Sequence, residues 1–161
     1  MKASRAILVL TALSLAALFA APSLWAQATQ SRVSIGAQAG YVLDDVKEPL
    51  VGAHLLVVLP AGFALYPAFQ GYFPQAGSLW RVSSAVRWAH QATGVAPYAA
   101  LGPYWMRRDK AGVPVTSLGV IGLVGVEGRL TKVRPFAEFQ LLTNGPFTAE
   151  LSFGVRAEIG R

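Results

Sequence analysis

Arg81 and Arg87, Glu138, and Glu150, Arg156 and Glu158 fall on segments rich in β-formers. Within each segment the charges are separated by even numbers of residues, which sets them on a single face of an extended strand. What such charges can do on a shared inner face is pair, because isolated buried charges are very costly. Matching depths across the fold predicts Arg81 near Glu150 and Arg87 near Glu158, with Glu138 between the two layers. Arg134, Glu127 and Glu158 are expected at the rims, in water. Other chemistry has little support. Hydrolysis needs a nucleophile beside a base, and the chain offers only His54 and His90. The first reads as an inward polar residue and the second as a turn residue, so no enzyme is expected. With no cysteine and the two histidines far apart, without a carboxylate cluster beside them, no metal or other cofactor is expected either. Asp44, Asp45 and Glu48 read as a solvated loop.

Positioning those charges requires strands. Turn residues divide the chain into eight segments, 32–43, 51–59, 63–73, 78–89, 95–107, 117–127, 133–142 and 147–159, rich in Val, Leu, Phe, Tyr and Trp. The breaks include Asp44 to Pro49, Pro60-Ala61-Gly62, Pro74 to Gly77, Gln91 to Gly94, Arg108 to Pro114, Gly128 to Lys132 and Thr143 to Pro146. The segments match the 9 to about 11 residues of a tilted transmembrane strand better than the ~5–6 usual in soluble proteins.

Alternation assigns the faces. On the last strand Phe147, Ala149, Leu151, Phe153, Val155, Ala157 and Ile159 oppose Thr148, Glu150, Ser152, Gly154, Arg156 and Glu158. The first, fourth and seventh strands repeat the period. The residues accompanying the charges are mostly Gly, Ala and Ser, which would leave room for long Arg and Glu inside a narrow eight-stranded barrel. A soluble barrel would need a continuous charged coat outside, yet only 14% of residues are charged and mean hydropathy is +0.43. The expectation is an all-β, eight-stranded, antiparallel, up-and-down transmembrane β-barrel. With the first strand running outward, Tyr41, Phe73, Trp80, Trp105 and Phe147 fall near the outer rim and Phe63 and Trp88 near the inner rim, as lipid-interface aromatics would. Pro67, Pro97 and Pro103 interrupt strands and call for a bulge or an early strand end. The sixth strand alternates poorly, being apolar on both faces.

Lys2 and Arg5 precede an apolar run from Ala6 to Ala21 and a small-residue site ending at Ala26. Residues 1–26 therefore read as a helical secretory signal peptide, too short to span a membrane, cleaved near Ala26 to leave one domain over 27–161. The chain carries 14 Lys and Arg against 8 Asp and Glu. Two of the basic residues lie in the leader, so the mature part carries 12 against 8, a net +4. No basic stripe marks it for nucleic acid.

The segments Pro97 to Tyr104, Gly122 to Glu127 and Arg134 to Phe139 resemble the small outer-membrane β-barrel superfamily, that of outer membrane protein X, the opacity proteins and the membrane domain of outer membrane protein A. The resemblance implies the outer membrane of a Gram-negative-type bacterium and contact with its lipid. It also implies an assembly signal read by the barrel-insertion machinery, whose positions Ser152, Gly154, Ala157 and Ile159 fit, although the chain closes with Ile159-Gly160-Arg161 and not an aromatic. A lipid A deacylase of this architecture would need His and Ser two apart on one face, which neither His54-Leu55-Leu56 nor His90-Gln91-Ala92 supplies. The expected role is structural, as a monomer with a closed, salt-bridged interior. The alternatives are a soluble periplasmic lipocalin-like barrel binding a small apolar ligand, and a narrow solute channel.

Overall fold

The structure, a computed structural model, describes residues 32–43, 48–90, 92–110, 112–129, 132–143 and 147–159. The leader with its cleavage site, Asp44 and Asp45, and the closing Gly160-Arg161 lie outside the described residues.

Eight strands follow one another: β1 (Val33–Val42), β2 (Pro49–Val58), β3 (Phe63–Tyr72), β4 (Ser78–Ala89), β5 (Val95–Lys110), β6 (Val113–Gly128), β7 (Val133–Thr143) and β8 (Phe147–Ile159). Each pairs antiparallel with the next, and β8 pairs with β1, so the sheet closes as an up-and-down barrel. Closure leaves no edge strand, although β6 residues 113–119 run on beyond the last β6–β7 pair, Val120 with Thr143. The segment expected to be a loop from Arg108 to Pro114 is instead the end of a long β5–β6 hairpin, in which Asp109 pairs with Pro114 and Lys110 with Val113. Gly112 supplies the positive φ that its turn needs.

The prolines produce neither a bulge nor an early strand end. Pro67 stays within β3, paired to Ser84 on one side, while on the other the β2–β3 ladder omits two pairs and resumes in the same register. Pro103 is treated alike: the β4–β5 ladder omits two pairs beside it, and Pro103 pairs with Val120 on β6. A missing N–H is thus absorbed as a short gap on one side of a strand that its other neighbour holds.

Following partners once around, from Val33 through Val57, Leu65, Val86, Leu101, Gly122, Leu141 and Ala149, leads back to β1 at Leu43, whose N–H donates to the Ala149 carbonyl. The path arrives ten residues beyond its start, Val33 to Leu43. This stagger ties strand tilt to strand number and sets which side chains meet across the lumen.

The pleat separates the faces. Val82, Val86, Leu101, Val124, Phe139, Phe153 and Val155 are exposed on the outside, while every fully buried charged side chain points inward. The sixth strand is apolar on both faces because its inner residues Ile121 and Leu123 complete apolar clusters of the lumen. Its Gly119 and Gly125 lie against the rings of Tyr104 and Tyr98, where a Cβ would collide.

Candidate functional site

Buried polar side chains project into the lumen in two groups. In the outer group Arg81, fully buried on β4, reaches across to Glu150 on β8 at 2.9 Å and donates to Gln140 at 2.8 Å. It also donates to Gln70, and Tyr72 Oη donates to Glu150 at 2.7 Å. Two apolar clusters lie on the outer side of this group, Val42, Leu50, Tyr72 and Leu79 in one and Tyr104, Ile121 and Leu142 in the other. Met106 packs against both.

The inner group centres on Glu127. Its carboxylate accepts from Arg87 at 2.7 Å, Arg156 at 2.6 Å and Arg129 at 2.7 Å, with Arg134 at 3.9 Å. Arg87 lies over the Tyr98 ring, 3.8 Å from its centroid, within cation–π range. Arg156 donates through Nε to Nε2 of His54 at 3.1 Å, and the imidazole packs between Tyr66 and Phe136.

Glu138 joins the two groups. It accepts from the hydroxyls of Tyr66 and Tyr98, both at 2.8 Å, and from Gln140 at 3.0 Å. Gln140 in turn receives Arg81, so hydrogen bonds and ring contacts connect Glu150 to Glu127. Such linked networks are costly to leave partly satisfied.

These positions alter two expectations. Glu127 is only 1% exposed and anchors the inner group, whereas a water-bathed rim position was expected. Arg87 pairs with it and not with Glu158, which pairs instead with Arg134 where both side chains are part-exposed. The cause is stagger: a ten-residue shear offsets strands on opposite walls, so counting residues from the strand ends misjudges depth. The lumen is also less dominated by small residues than expected. Tyr66, Tyr72, Tyr98 and Tyr104 all point inward and are buried. On β3, Tyr66 and Tyr72 alternate with the outward Phe69, the one sequence signal of their inward position.

The aromatics singled out from sequence fall at two levels. Phe63 and Trp88 are paired neighbours at the inner end. At the outer end Trp80 and Trp105 meet edge to face at 4.6 Å, while Tyr41, Phe73 and Phe147 are exposed. Ser152, Gly154, Ala157 and Ile159 lie on β8 along the closing seam, opposite Gly40, Gln38, Ile35 and Val33.

Gly154 has a packing role. A Cβ there would run into the Ala37 carbonyl oxygen and the ring of Phe136, which lies beside Arg156. Gly154→Val is therefore expected to destabilise the barrel by about 1–3 kcal/mol, the usual cost of overpacking. Urea unfolding of the refolded protein checks this, and an unshifted midpoint would mean that both the β1 backbone at Ala37 and the Phe136 ring give way.

A closed eight-stranded barrel with an apolar exterior and buried charges inside has the fold of the small outer-membrane β-barrels. Solved structures agree. The N-terminal beta-barrel domain of Pseudomonas aeruginosa OprF aligns over 81% of this chain and 98% of its own, with a TM-score of 0.67 and 14% identity. Neisserial surface protein A aligns over 80% and 96%, at 0.59 and 17%. The attachment invasion locus protein of Yersinia pestis, Ail, aligns over 80% and 97%, at 0.56 and 12%. At these identities the likeness is one of fold. No protein-family model matches the sequence, and no curated protein does.

Proposed function

We propose that the protein is a monomeric outer-membrane β-barrel with a structural, envelope-stabilising role and a closed lumen, reached after removal of residues 1–26. The observation that carries this reading is its inverted polarity. Large apolar side chains stay exposed over the outer wall while Arg81, Arg87, Arg156, Glu127, Glu138 and Glu150 are buried inside. In water, exposing that wall would leave an apolar surface far beyond the few hundred Å² of an ordinary monomer. In lipid it is the favourable arrangement. A lumen occupied by Arg81, Arg87, Arg156 and four buried tyrosines favours a structural role over the apolar ligand of a lipocalin-like barrel.

The aromatics Tyr41, Phe73, Trp80, Trp105 and Phe147 at one end and Phe63 and Trp88 at the other act as interface anchors in this reading. The closing strand from Ser152 to Ile159 serves as the insertion signal. The protein performs no catalysis. Cell fractionation followed by gel migration before and after heating tests the assignment: a membrane-fraction protein whose mobility shifts on boiling is expected, and a soluble periplasmic species of constant mobility would overturn it. Planar-bilayer recording tests the lumen. No steady current is expected, since Arg81 bridges to Glu150 beneath the two apolar clusters, and a large constant conductance would refute closure.

A further inference from the structure

We propose that the inner mouth of the barrel binds one small oxyanion, a phosphate or a carboxylate group, between Arg129, Arg134 and the buried Arg156. The starting point is a charge imbalance confined to one end. Ion pairs link Arg87, Arg129, Arg134 and Arg156 to Glu127 and Glu158, four guanidinium groups to two carboxylates. Glu138 stands behind Tyr66 and Tyr98, which separate it from Arg156 and Arg87. Counting it as well still leaves an excess positive charge among the described residues. An arginine cannot shed this charge by losing a proton. The outer group has no such excess, because Arg81 is matched by Glu150.

A second observation is independent of the count. Arg87 Nε, Arg134 Nε and Arg156 Nη2 are buried without a hydrogen-bond acceptor, and the side chains of Arg87 and Arg156 are 3% and 0% exposed. Two of these donors, Arg134 Nε and Arg156 Nη2, belong to the proposed site, where a donor without an acceptor is costly and an oxyanion with several lone pairs accepts from more than one guanidinium group. Entry is available from the rim, where the side chains of Arg129 and Arg134 are 23% and 22% exposed. Arg32 and Lys132, exposed at the same end, add a positive field that draws anions in. Phosphate and carboxylate share the chemistry that a guanidinium fork recognises, and the experiment separates them.

The test is calorimetric titration of the full mature barrel, refolded in a non-ionic, phosphate-free detergent at low salt, with sodium phosphate in one arm and sodium acetate in the other. Saturable one-site binding of at least one anion at millimolar concentration is expected. Arg134→Gln should weaken it about tenfold or more, the loss typical of one charge-assisted contact. Arg129→Gln is the second variant, in case the first does not refold as judged by heat-shifted migration. Arg107→Gln, on the outer rim, should bind as the parent does. Absence of saturable binding for both anions would overturn the proposal, as would undiminished binding by the folded inner-rim variants.

Discussion

Glu127→Leu is expected to destabilise the barrel by about 3–5 kcal/mol, the cost of breaking a buried ion pair from one side. The carboxylate is the direct partner of Arg87 and Arg156, both buried inside the barrel, and of Arg129 at the rim. Removing it strands two guanidinium groups in a lumen where no other carboxylate is paired to them among the described residues. Glu158→Gln makes the contrast. Its partner Arg134 and Glu158 itself are part-exposed, so water takes over and the loss should stay within about 1 kcal/mol. Urea titration of both variants folded into lipid vesicles checks the pair. Comparable losses would mean that the inner group is wet throughout and that Glu127 is no anchor. Adding Arg87→Met to Glu127→Leu should recover part of the stability, since one of the stranded charges is then gone, and the double-mutant cycle would give the coupling between them.

That contrast marks the boundary of what the sequence discloses. Strand faces were legible wherever the period of two was clean, and β4 and β8 have the limits that alternation predicts, Ser78–Ala89 and Phe147–Ile159. Which inward charges meet was only half legible. Arg81 does reach Glu150, but depth on opposite walls depends on shear, a property of the closed sheet that no single strand records. The buried tyrosines escaped for a related reason. Tyr66, Tyr72, Tyr98 and Tyr104 occupy inward positions, yet an aromatic ring suits the lipid interface as well as a lumen. Only neighbours decide, here Glu138 and Glu150 as acceptors and Gly119 and Gly125 as clearances. The β5–β6 hairpin outran its expected ends because Arg108 and Asp109, followed by Lys110, look like loop residues, although the ladder continues through them.

The second large effect concerns the outer wall. Leu101 is 64% exposed and pairs with Val86 and Gly122, between Phe63 and Trp88 at one end and Trp80 and Trp105 at the other. If that band is the hydrocarbon layer, Leu101→Arg places a charge near its midplane and should cost about 2–4 kcal/mol in vesicles. Thr116→Arg provides the depth control. It pairs with Arg107, beyond the Trp80–Trp105 contact, where the same substitution should cost only about 0–1 kcal/mol. Leu118→Arg, paired with Trp105, should fall between. Reversible folding of the three variants into vesicles, followed by tryptophan fluorescence in urea, would trace the profile. A water-facing wall predicts something different in kind: all three within about 0.5 kcal/mol of the parent, because exposed surface substitutions are nearly neutral. Strand pairing, lumen packing and the ion pairs are common to both readings, so only the dependence on depth separates a wall that meets lipid from one that meets water.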